Sequence, residues 1–287
     1  MSSVRAVAAL LAAALLMCPA AFAAQLAKPR STVVVKRTKG AAAVDGSRYA
    51  AWGGAGGRLA VFDERRGRRA LFDLGRHCDH VLPVSGGRST FLVNCSVTGT
   101  LGVERHQYLF DAAHGSAKLL DGTDFAQVGG QWLQGNGEDR FGANVFYTNW
   151  HTGETITEAA AGRSRVPYDL DSRGLDAVAP AASDFVVGGS HALERVGRTI
   201  RLVGWDGDTT LHRCAHDCAP ISLKGGLALW SDGDGKLYGY APASGRRFAW
   251  RVPESAEMRG STGRRVYYLL PLALDPQYFA LKSFRWR

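Results

Sequence analysis

The sequence predicts an all-β protein built from repeats of a four-stranded unit. Five segments share an apolar strand, a polar turn containing glycine and a second strand: RLAVFDERRGRRALFDL (58–74), QYLFDAAHGSAKLLDG (107–122), NVFYTNWHTGETITEA (144–159), TIRLVGWDGDTTLHR (199–213) and KLYGYAPASGRRFAWRV (236–252). Their turn glycines, at 67, 115, 153, 207 and 245, recur at intervals of 38 to 54 residues. Runs rich in Val, Leu, Phe, Tyr and Trp between Gly or Asp turns are typical of hairpins. The recurrence indicates one supersecondary unit used several times.

A further strand–turn–strand segment precedes these hairpins. The clearest examples are AAAVDGSRYAAWGG (41–54), HVLPVSGGRSTFLVNC (80–95), FAQVGGQWLQG (125–135) and ISLKGGLALWSDG (221–233). Four strands in each repeat of about 45 residues are typical of β-propeller blades, whose neighbours cover one another's faces. A sandwich or a pair of small barrels does not require the unit to recur, so the repeat favours a propeller. The irregular section 160–183 is predicted to be a long connection into the fourth unit.

The two ends of the chain predict how the ring closes. Residues 257–287 contain only three strand segments, and STVVVKRT (31–38) is a strand without a hairpin partner. Pairing of this N-terminal strand with the C-terminal blade would complete a sixth four-stranded blade and cover an exposed edge. We therefore predict six blades, with five or seven as alternatives.

The first residues have the pattern of a secretory signal peptide. Arg5 is followed by an apolar run through Met17 and then by Ala21-Phe22-Ala23, which matches the charged, apolar and cleavage regions of such signals. A lipid anchor at Cys18 is the minor alternative, because Met17 stands where that signal has a small residue. The sequence predicts a signal peptide at 1–23 and one domain at 24–287, secreted or retained in the periplasm or cell envelope. No transmembrane segment is predicted.

The charge pattern argues against a nucleic-acid partner. The net charge is +9, but many of the arginines fall in short turn-like clusters at 64–69, 244–247 and 262–265. Nucleic-acid binding is typically accompanied by a basic helix, stripe or tail. Solvated turns are the favoured interpretation, and the protein is predicted to be monomeric.

The repeats resemble those of secreted bacterial propellers with TolB-like or WD40-like repeats. The resemblance rests on DGSRYAAWGG, RLAVFDERRGRRALF and KGGLALWSDGDGKLYGYAPASGRRF, and the strand pattern extends over nearly the whole of 24–287. It implies the fold alone, because related propellers serve as interaction platforms, as sugar or peptide binders and occasionally as lyases or hydrolases. The strict Gly-His and Trp-Asp signature is missing, with one Trp-Asp pair inside Gly204–Asp208. No site residue follows from the resemblance.

Four cysteines follow the predicted signal peptide, and an even number in an exported protein favours disulfides. A hairpin turn at Gly86-Gly87 would place Cys78 opposite Cys95, although Pro83 is expected to disturb the register. A turn through Ala215–Asp217 would bring Cys214 to Cys218. A local metal site using Cys214, His216 and Cys218 is the alternative, but the sequence shows no second ligand pair nearby.

Three tryptophans and one loop are candidates for a ligand-binding rim. They are Trp52, Trp132 and Trp230, near predicted strand ends, together with His216 and Asp217 between two cysteines. Aromatic side chains at a rim can stack on sugars or anchor peptides, but propellers also need large residues between their sheets. Packing is the favoured role for the tryptophans. No metal or cofactor is predicted.

The predicted function is non-enzymatic recognition of a protein, peptide or glycan. It rests on an intact repeat architecture together with the absence of a local nucleophile motif, P-loop or dinucleotide fingerprint. An extracellular lyase or hydrolase, with catalytic residues converging at the channel mouth from several blades, is the alternative. A structural envelope component is a third possibility.

Overall fold

The computed structural model describes residues 28–100, 102–120, 125–129, 132–139, 142–157, 184–188, 191–204, 207–233 and 235–287. The predicted signal peptide and the connection at 160–183 lie outside these ranges. The described residues are all-β, with two three-residue 3-10 turns, and they form six four-stranded antiparallel sheets. No helix among them is long and apolar enough to cross a membrane.

Five of the sheets each take four strands that are consecutive in the chain. The first strand of the chain, β1 (Thr32–Thr38), precedes them. Sheet 1 contains β2 (Ala42–Val44), β3 (Tyr49–Gly53), β4 (Leu59–Asp63) and β5 (Arg68–Phe72). Sheet 2 contains β6 (His80–Gly87), β7 (Thr90–Gly99), β8 (Gly102–Asp111) and β9 (Ser116–Leu120). Sheet 3 contains β10 (Phe125–Gly129), β11 (Trp132–Asp139), β12 (Gly142–Asn149) and β13 (Thr155–Thr157). Sheet 4 contains β14 (Asp184–Gly188), β15 (His191–Val196), β16 (Thr199–Gly204) and β17 (Gly207–Arg213). Sheet 5 contains β18 (Ala219–Lys224), β19 (Leu227–Ser231), β20 (Lys236–Ala241) and β21 (Arg246–Arg251).

The sixth sheet joins the two ends of the described chain. It contains β22 (Glu257–Ser261), β23 (Arg265–Leu272) and β24 (Asp275–Arg285), and β1 pairs with β24 as its fourth strand. The pairing is antiparallel and places Thr32 opposite Ser283 and Thr38 opposite Phe279. The predicted pairing of the N-terminal strand is therefore confirmed.

Apolar side chains fill the space between successive sheets. Five buried clusters lie in the described residues, and each joins two sheets: 1 with 2, 2 with 3, 4 with 5, 5 with 6 and 6 with 1. In the cluster between sheets 1 and 2, for example, Leu59 and Val61 pack with Phe91 and Phe110. Each sheet therefore depends on a neighbour to cover its apolar face, as the repeat predicts.

The first strands of neighbouring sheets also contact one another. Contacts join β2 to β6 and β22, β6 to β10, and β18 to β14 and β22. At the ends of some of these strands only glycine fits, because a side chain would clash with the backbone of the neighbouring sheet. A Cβ atom on Gly188 would lie 1.6 Å from the carbonyl oxygen of Leu223, and one on Gly225 would lie 2.3 Å from that of Thr262. The glycines at the ends of these strands thus let the backbones of adjacent sheets touch.

The turn between β6 and β7 differs from the sequence prediction. Gly86 and Gly87 belong to β6, and the turn is formed by Arg88 and Ser89, at φ 40° and 68°. A Cβ on Gly86 would lie 2.8 Å from the carbonyl oxygen of Val44, so this glycine serves packing.

A buried aspartate stabilises the turn at Arg88 and Ser89. The amide of Ser89 donates to Asp45 Oδ2 at 2.9 Å, and the amide of Arg88 donates to the Asp45 carbonyl oxygen at 3.1 Å. These bonds offset the cost of positive φ at two residues that have a Cβ. The predicted irregularity at Pro83 is present, as a register shift between Pro83 and Ser85.

Candidate functional site

Both predicted cysteine pairs are at disulfide distance. Their Cα atoms are 5.5 Å apart for Cys78–Cys95 and 6.0 Å apart for Cys214–Cys218. The register assumed for the first pair is wrong, because Cys95 lies opposite Val81 and Cys78 precedes β6. All four cysteine side chains are buried.

The Cys214–Cys218 loop lies beside a histidine and an aspartate from two different sheets. His212 belongs to β17, and Asp232 directly follows β19. His212 Nε2 lies 3.1 Å from Asp232 Oδ2, and Asp232 Oδ1 accepts a hydrogen bond from the amide of His216 at 3.2 Å. Burial acts to raise the pKa of Asp232, but hydrogen bonds from His212 and from the amides of residues 215 and 216 outweigh it and lower that pKa. Asp232 therefore connects sheet 5 to the disulfide loop as a carboxylate.

The imidazole of His212 is held by aromatic packing. Its ring centroid lies 4.5 Å from that of Tyr238 and 5.9 Å from that of Trp230. Trp230 and Tyr238 are themselves stacked, with centroids 5.9 Å apart. This packing fixes the direction in which the imidazole faces Asp232 and the cysteines.

The predicted rim residues whose side chains the structure describes do not form one surface. Trp52 and Trp230 are each only 2% exposed and pack in different clusters, between sheets 6 and 1 and between sheets 4 and 5. Trp132 begins β11, and its side chain lies outside the described residues. His216 and Asp217 are exposed in the disulfide loop, where Asp217 Oδ1 lies 4.0 Å from Arg195 Nη1.

A cavity of about 440 Å³ lies at the junction of sheets 6, 1 and 2. We call it the basic groove. Its lining comes from β1 and β24, from the β3–β4 loop and β5, and from the start of β6. The apolar residues in this lining include Val35, Trp52, Ala60, Leu71 and Val81. Cavities that bind small molecules or peptide side chains are of this size and have a similar apolar surface.

The glycine-rich loop 53–57 forms one wall of the basic groove. A Cβ on Gly53 would lie 2.4 Å from the carbonyl oxygen of Val81, and one on Gly57, at φ +67°, would lie 1.7 Å from that of Cys78. The loop therefore rests directly on the backbone of the next sheet. A wall that is packed in this way gives the basic groove a preformed shape.

Three cationic side chains lie in the lining of the basic groove. Arg37 forms an ion pair with Asp275 at 2.8 Å, and its guanidinium lies 3.7 Å from the ring centroid of Tyr278. Lys39 Nζ lies 3.5 Å from His80 Nδ1. Arg69, on β5, has no acidic partner within the part of the chain that the structure describes.

The one carboxylate in this lining, that of Asp79, contacts residues that do not line the groove. Asp79 Oδ2 accepts a hydrogen bond from the amide of Thr98 at 2.6 Å, and Asp79 Oδ1 lies 3.5 Å from His77 Nε2. Hydrogen bonding to Thr98 lowers the pKa of Asp79. Asp79 therefore stays ionised, but the three cations of the lining outnumber it and Arg69 is unpaired in the described region, so the basic groove has a surplus of positive charge.

A second polar cluster surrounds the other end of β6. Asp45 is 4% exposed, and its Oδ1 accepts hydrogen bonds from the amides of Ser47, Arg48 and Tyr49 at 2.8–2.9 Å. Lys224 Nζ donates to the carbonyl oxygen of Gly86. Burial lowers the pKa of Lys224 to about 8, against the opposing attraction of Asp45. These charges hold turns of three sheets together, because their hydrogen-bonding atoms face the backbone.

Neither the basic groove nor the His212–Asp232 pair could be predicted from the sequence. The basic groove combines short segments of three sheets, and the pair spans two repeats. The run Gly53-Gly54-Ala55-Gly56-Gly57 is the one local signal, since several adjacent glycines indicate close backbone approach. Comparison with protein-family models and with curated proteins found no match to the chain.

Proposed function

We propose that this chain is an exported six-bladed β-propeller that acts as a non-enzymatic recognition module. Its proposed ligand is an acidic peptide segment of a partner protein, which binds in the basic groove. Six four-stranded sheets, contacts between their first strands and the pairing of β1 with β24 support the propeller. The cysteine pairs at disulfide distance fit an oxidising compartment outside the cytoplasm.

The observation that carries the proposed function is the charge distribution in the basic groove. Apolar side chains line its interior, whereas Arg37, Lys39 and Arg69 supply positive charge. An extended peptide places successive side chains on opposite sides, so apolar residues can enter the groove while acidic residues face the cations. Charge complementarity of this kind favours association and selects against basic peptides.

The aromatic side chains of the groove favour a peptide over a sugar. A sugar that stacks on an aromatic ring needs an exposed ring face. Trp52 is 2% exposed, and the guanidinium of Arg37 covers one face of Tyr278. The rings therefore offer little face on which a sugar could stack, whereas the aliphatic side chains of Val35 and Leu71 are accessible in the lining.

Fluorescence anisotropy with a short fluorescein-labelled peptide of alternating leucine and aspartate tests this proposal. We expect saturable binding that weakens as salt is added, and weaker binding of the matching leucine–lysine peptide. Replacing Arg69→Glu is expected to reduce affinity about tenfold or more, which corresponds to about 1.4 kcal/mol. Arg68→Glu is the matched control, because Arg68 is exposed on the same strand and does not line the groove.

The result against the proposal is equal binding of both peptides, or equal effects of Arg69→Glu and Arg68→Glu. Competition by an oligouronate, with no binding of the acidic peptide, would assign the basic groove to a glycan instead. A scattering profile of an elongated molecule would contradict the propeller, since a closed ring of blades is a compact disc.

A further inference from the structure

We propose that reduction of the Cys214–Cys218 disulfide creates a zinc site formed by Cys214, Cys218, His212 and Asp232. The sequence argues against a metal here because no second ligand pair is visible near the two cysteines. The fold supplies that pair, from β17 and from the end of β19. The proposed site is separate from the basic groove.

Three of the four proposed ligand atoms already lie close together. One ligand atom each from His212, Cys214 and Asp232 lies within 4.8 Å of the other two, and Cys218 Sγ is bonded to Cys214 Sγ. Zinc bonds of about 2.0–2.3 Å separate neighbouring ligands by roughly 3.3–3.8 Å in a tetrahedron. The 3.1 Å between His212 Nε2 and Asp232 Oδ2 is already near this separation. Cys218 Sγ is bonded to Cys214 Sγ, so it takes the fourth position by moving away from Cys214 after reduction.

The surroundings orient both non-cysteine ligands. Asp232 Oδ1 is bound by the amide of His216, which leaves Oδ2 directed at His212. Tyr238 and Trp230 hold the imidazole of His212 by ring packing. Partners of this kind preorganise metal ligands and fix their direction. The cluster is largely buried, since the side chains of His212 and Asp232 are 22% and 5% exposed.

The chemistry balances with a dithiol as the reductant. The dithiol gives two electrons and two protons to the Cys214–Cys218 bond and becomes a disulfide, while Cys214 and Cys218 become thiols. Zinc then binds both sulfurs as thiolates, and two protons leave to solvent. Neutral His212 and the carboxylate of Asp232 complete four ligands of types that zinc prefers.

The other cysteine pair provides an internal control. His77 and Asp79 flank Cys78 in the sequence, and His77 Nε2 lies 3.5 Å from Asp79 Oδ1. Within the described residues, however, the group around Cys214 is the one set of three or more such ligands that comes together. Reduction of Cys78–Cys95 is therefore expected to create no zinc site.

Zinc and cobalt binding to the full chain tests the proposal before and after reduction. Excess metal is removed by gel filtration, and the bound zinc is measured by atomic absorption. We expect one zinc per reduced chain and none per oxidised chain. Cobalt in place of zinc is expected to give the visible absorption of a tetrahedral site with thiolate ligands. His212→Ala and Asp232→Asn are each expected to weaken zinc binding about tenfold or more, and His77→Ala to leave it unchanged.

Three results would overturn the proposal. One is a folded, reduced chain that binds no zinc, and another is stoichiometric zinc binding that survives Cys214→Ala/Cys218→Ala. If reduction unfolds the chain, zinc must restore the circular dichroism of the native protein, and failure to restore it counts against the site. Recovery of the native spectrum by zinc in the wild type, but not in His212→Ala, supports it.

Discussion

The two disulfides occupy corresponding places in the repeat but differ in what surrounds them. Cys78 lies between β5 and β6 and is bonded to Cys95 in β7, among buried residues such as Leu74, Val81 and Phe91. The Cys214–Cys218 bond joins two residues of the same loop, between β17 and β18, and lies beside His212 and Asp232. The first bond joins a loop to a strand through an apolar core. The second closes a local loop that lies beside an imidazole and a carboxylate.

The length of chain that each bond closes predicts a difference in stabilisation. The sequence separations are 17 and 4 residues. A crosslink that closes a longer loop removes more conformational entropy from the unfolded chain. We therefore expect the first disulfide to contribute more to the free energy of unfolding, even though both are buried.

The largest effect is expected from Cys78→Ala/Cys95→Ala. Loss of this crosslink is expected to lower the free energy of unfolding by about 3 kcal/mol through loop entropy, with a further cost from unfilled core volume. Urea unfolding of the oxidised proteins, followed by tryptophan fluorescence, measures the change. A loss below about 1 kcal/mol would show that the core around β6 and β7 holds without the bond.

A smaller effect is expected from Cys214→Ala/Cys218→Ala. The shorter loop gives a loss of about 2 kcal/mol in the free energy of unfolding. The same urea titration measures it, with the first double variant as the matched control. If the second pair proves the more important one, then the packing of its loop against His212 and Trp230, and not loop entropy, determines the order.

The same two loops show what the sequence could predict. The repeated hairpins follow from local patterns, and the pairing of β1 follows from the number of strands at the two ends of the chain; the described strands agree with both. The β6–β7 register could not be predicted, because the role of Gly86 depends on the carbonyl of Val44 in another sheet. The turn at Arg88 and Ser89 likewise depends on Asp45, over forty residues earlier in the chain.

The polar side chains that surround each disulfide could not be predicted from the sequence either. His77, Asp79 and His80 are close in sequence to Cys78, whereas Asp232 is 14 residues from Cys218. In the folded protein, it is Asp232 that completes a ligand group. Proximity in sequence suggested His216, between the two cysteines, as the histidine ligand, whereas ladder register and contacts between sheets bring His212 and Asp232 together beside the disulfide.

The stability of the two loops is also expected to depend on pH to different extents, because each loop has one carboxylate with a lowered pKa beside it. The pKa values of Asp232 and Asp79 are both lowered in the folded protein, so each contributes stability above its unfolded pKa, near 3.9, and loses it as the pH falls through its folded pKa. The Asp232 side chain is 5% exposed and that of Asp79 is 35% exposed. Asp232→Asn is expected to cost about 1 kcal/mol at pH 7 and to flatten the fall in stability below pH 5.

Asp79→Asn is expected to produce a smaller change, because water screens the more exposed carboxylate. Urea unfolding at a series of pH values between 7 and 3 measures both variants. Equal flattening by the two substitutions would show that the burial of Asp232 does not distinguish the second loop.

The last comparison concerns the histidines of the two loops at neutral pH, and the smallest effect of all is expected at His77. The His212 side chain is 22% exposed and packs against Tyr238 and Trp230, so His212→Ala is expected to cost about 1 kcal/mol in the free energy of unfolding. His77 is 76% exposed, and His77→Ala is expected to change stability by less than about 0.5 kcal/mol. Urea unfolding of the oxidised variants measures both. A cost at His77 that matches the cost at His212 would mean that ring packing does not stabilise the second loop, and the fixed imidazole on which the zinc site depends would lose its support.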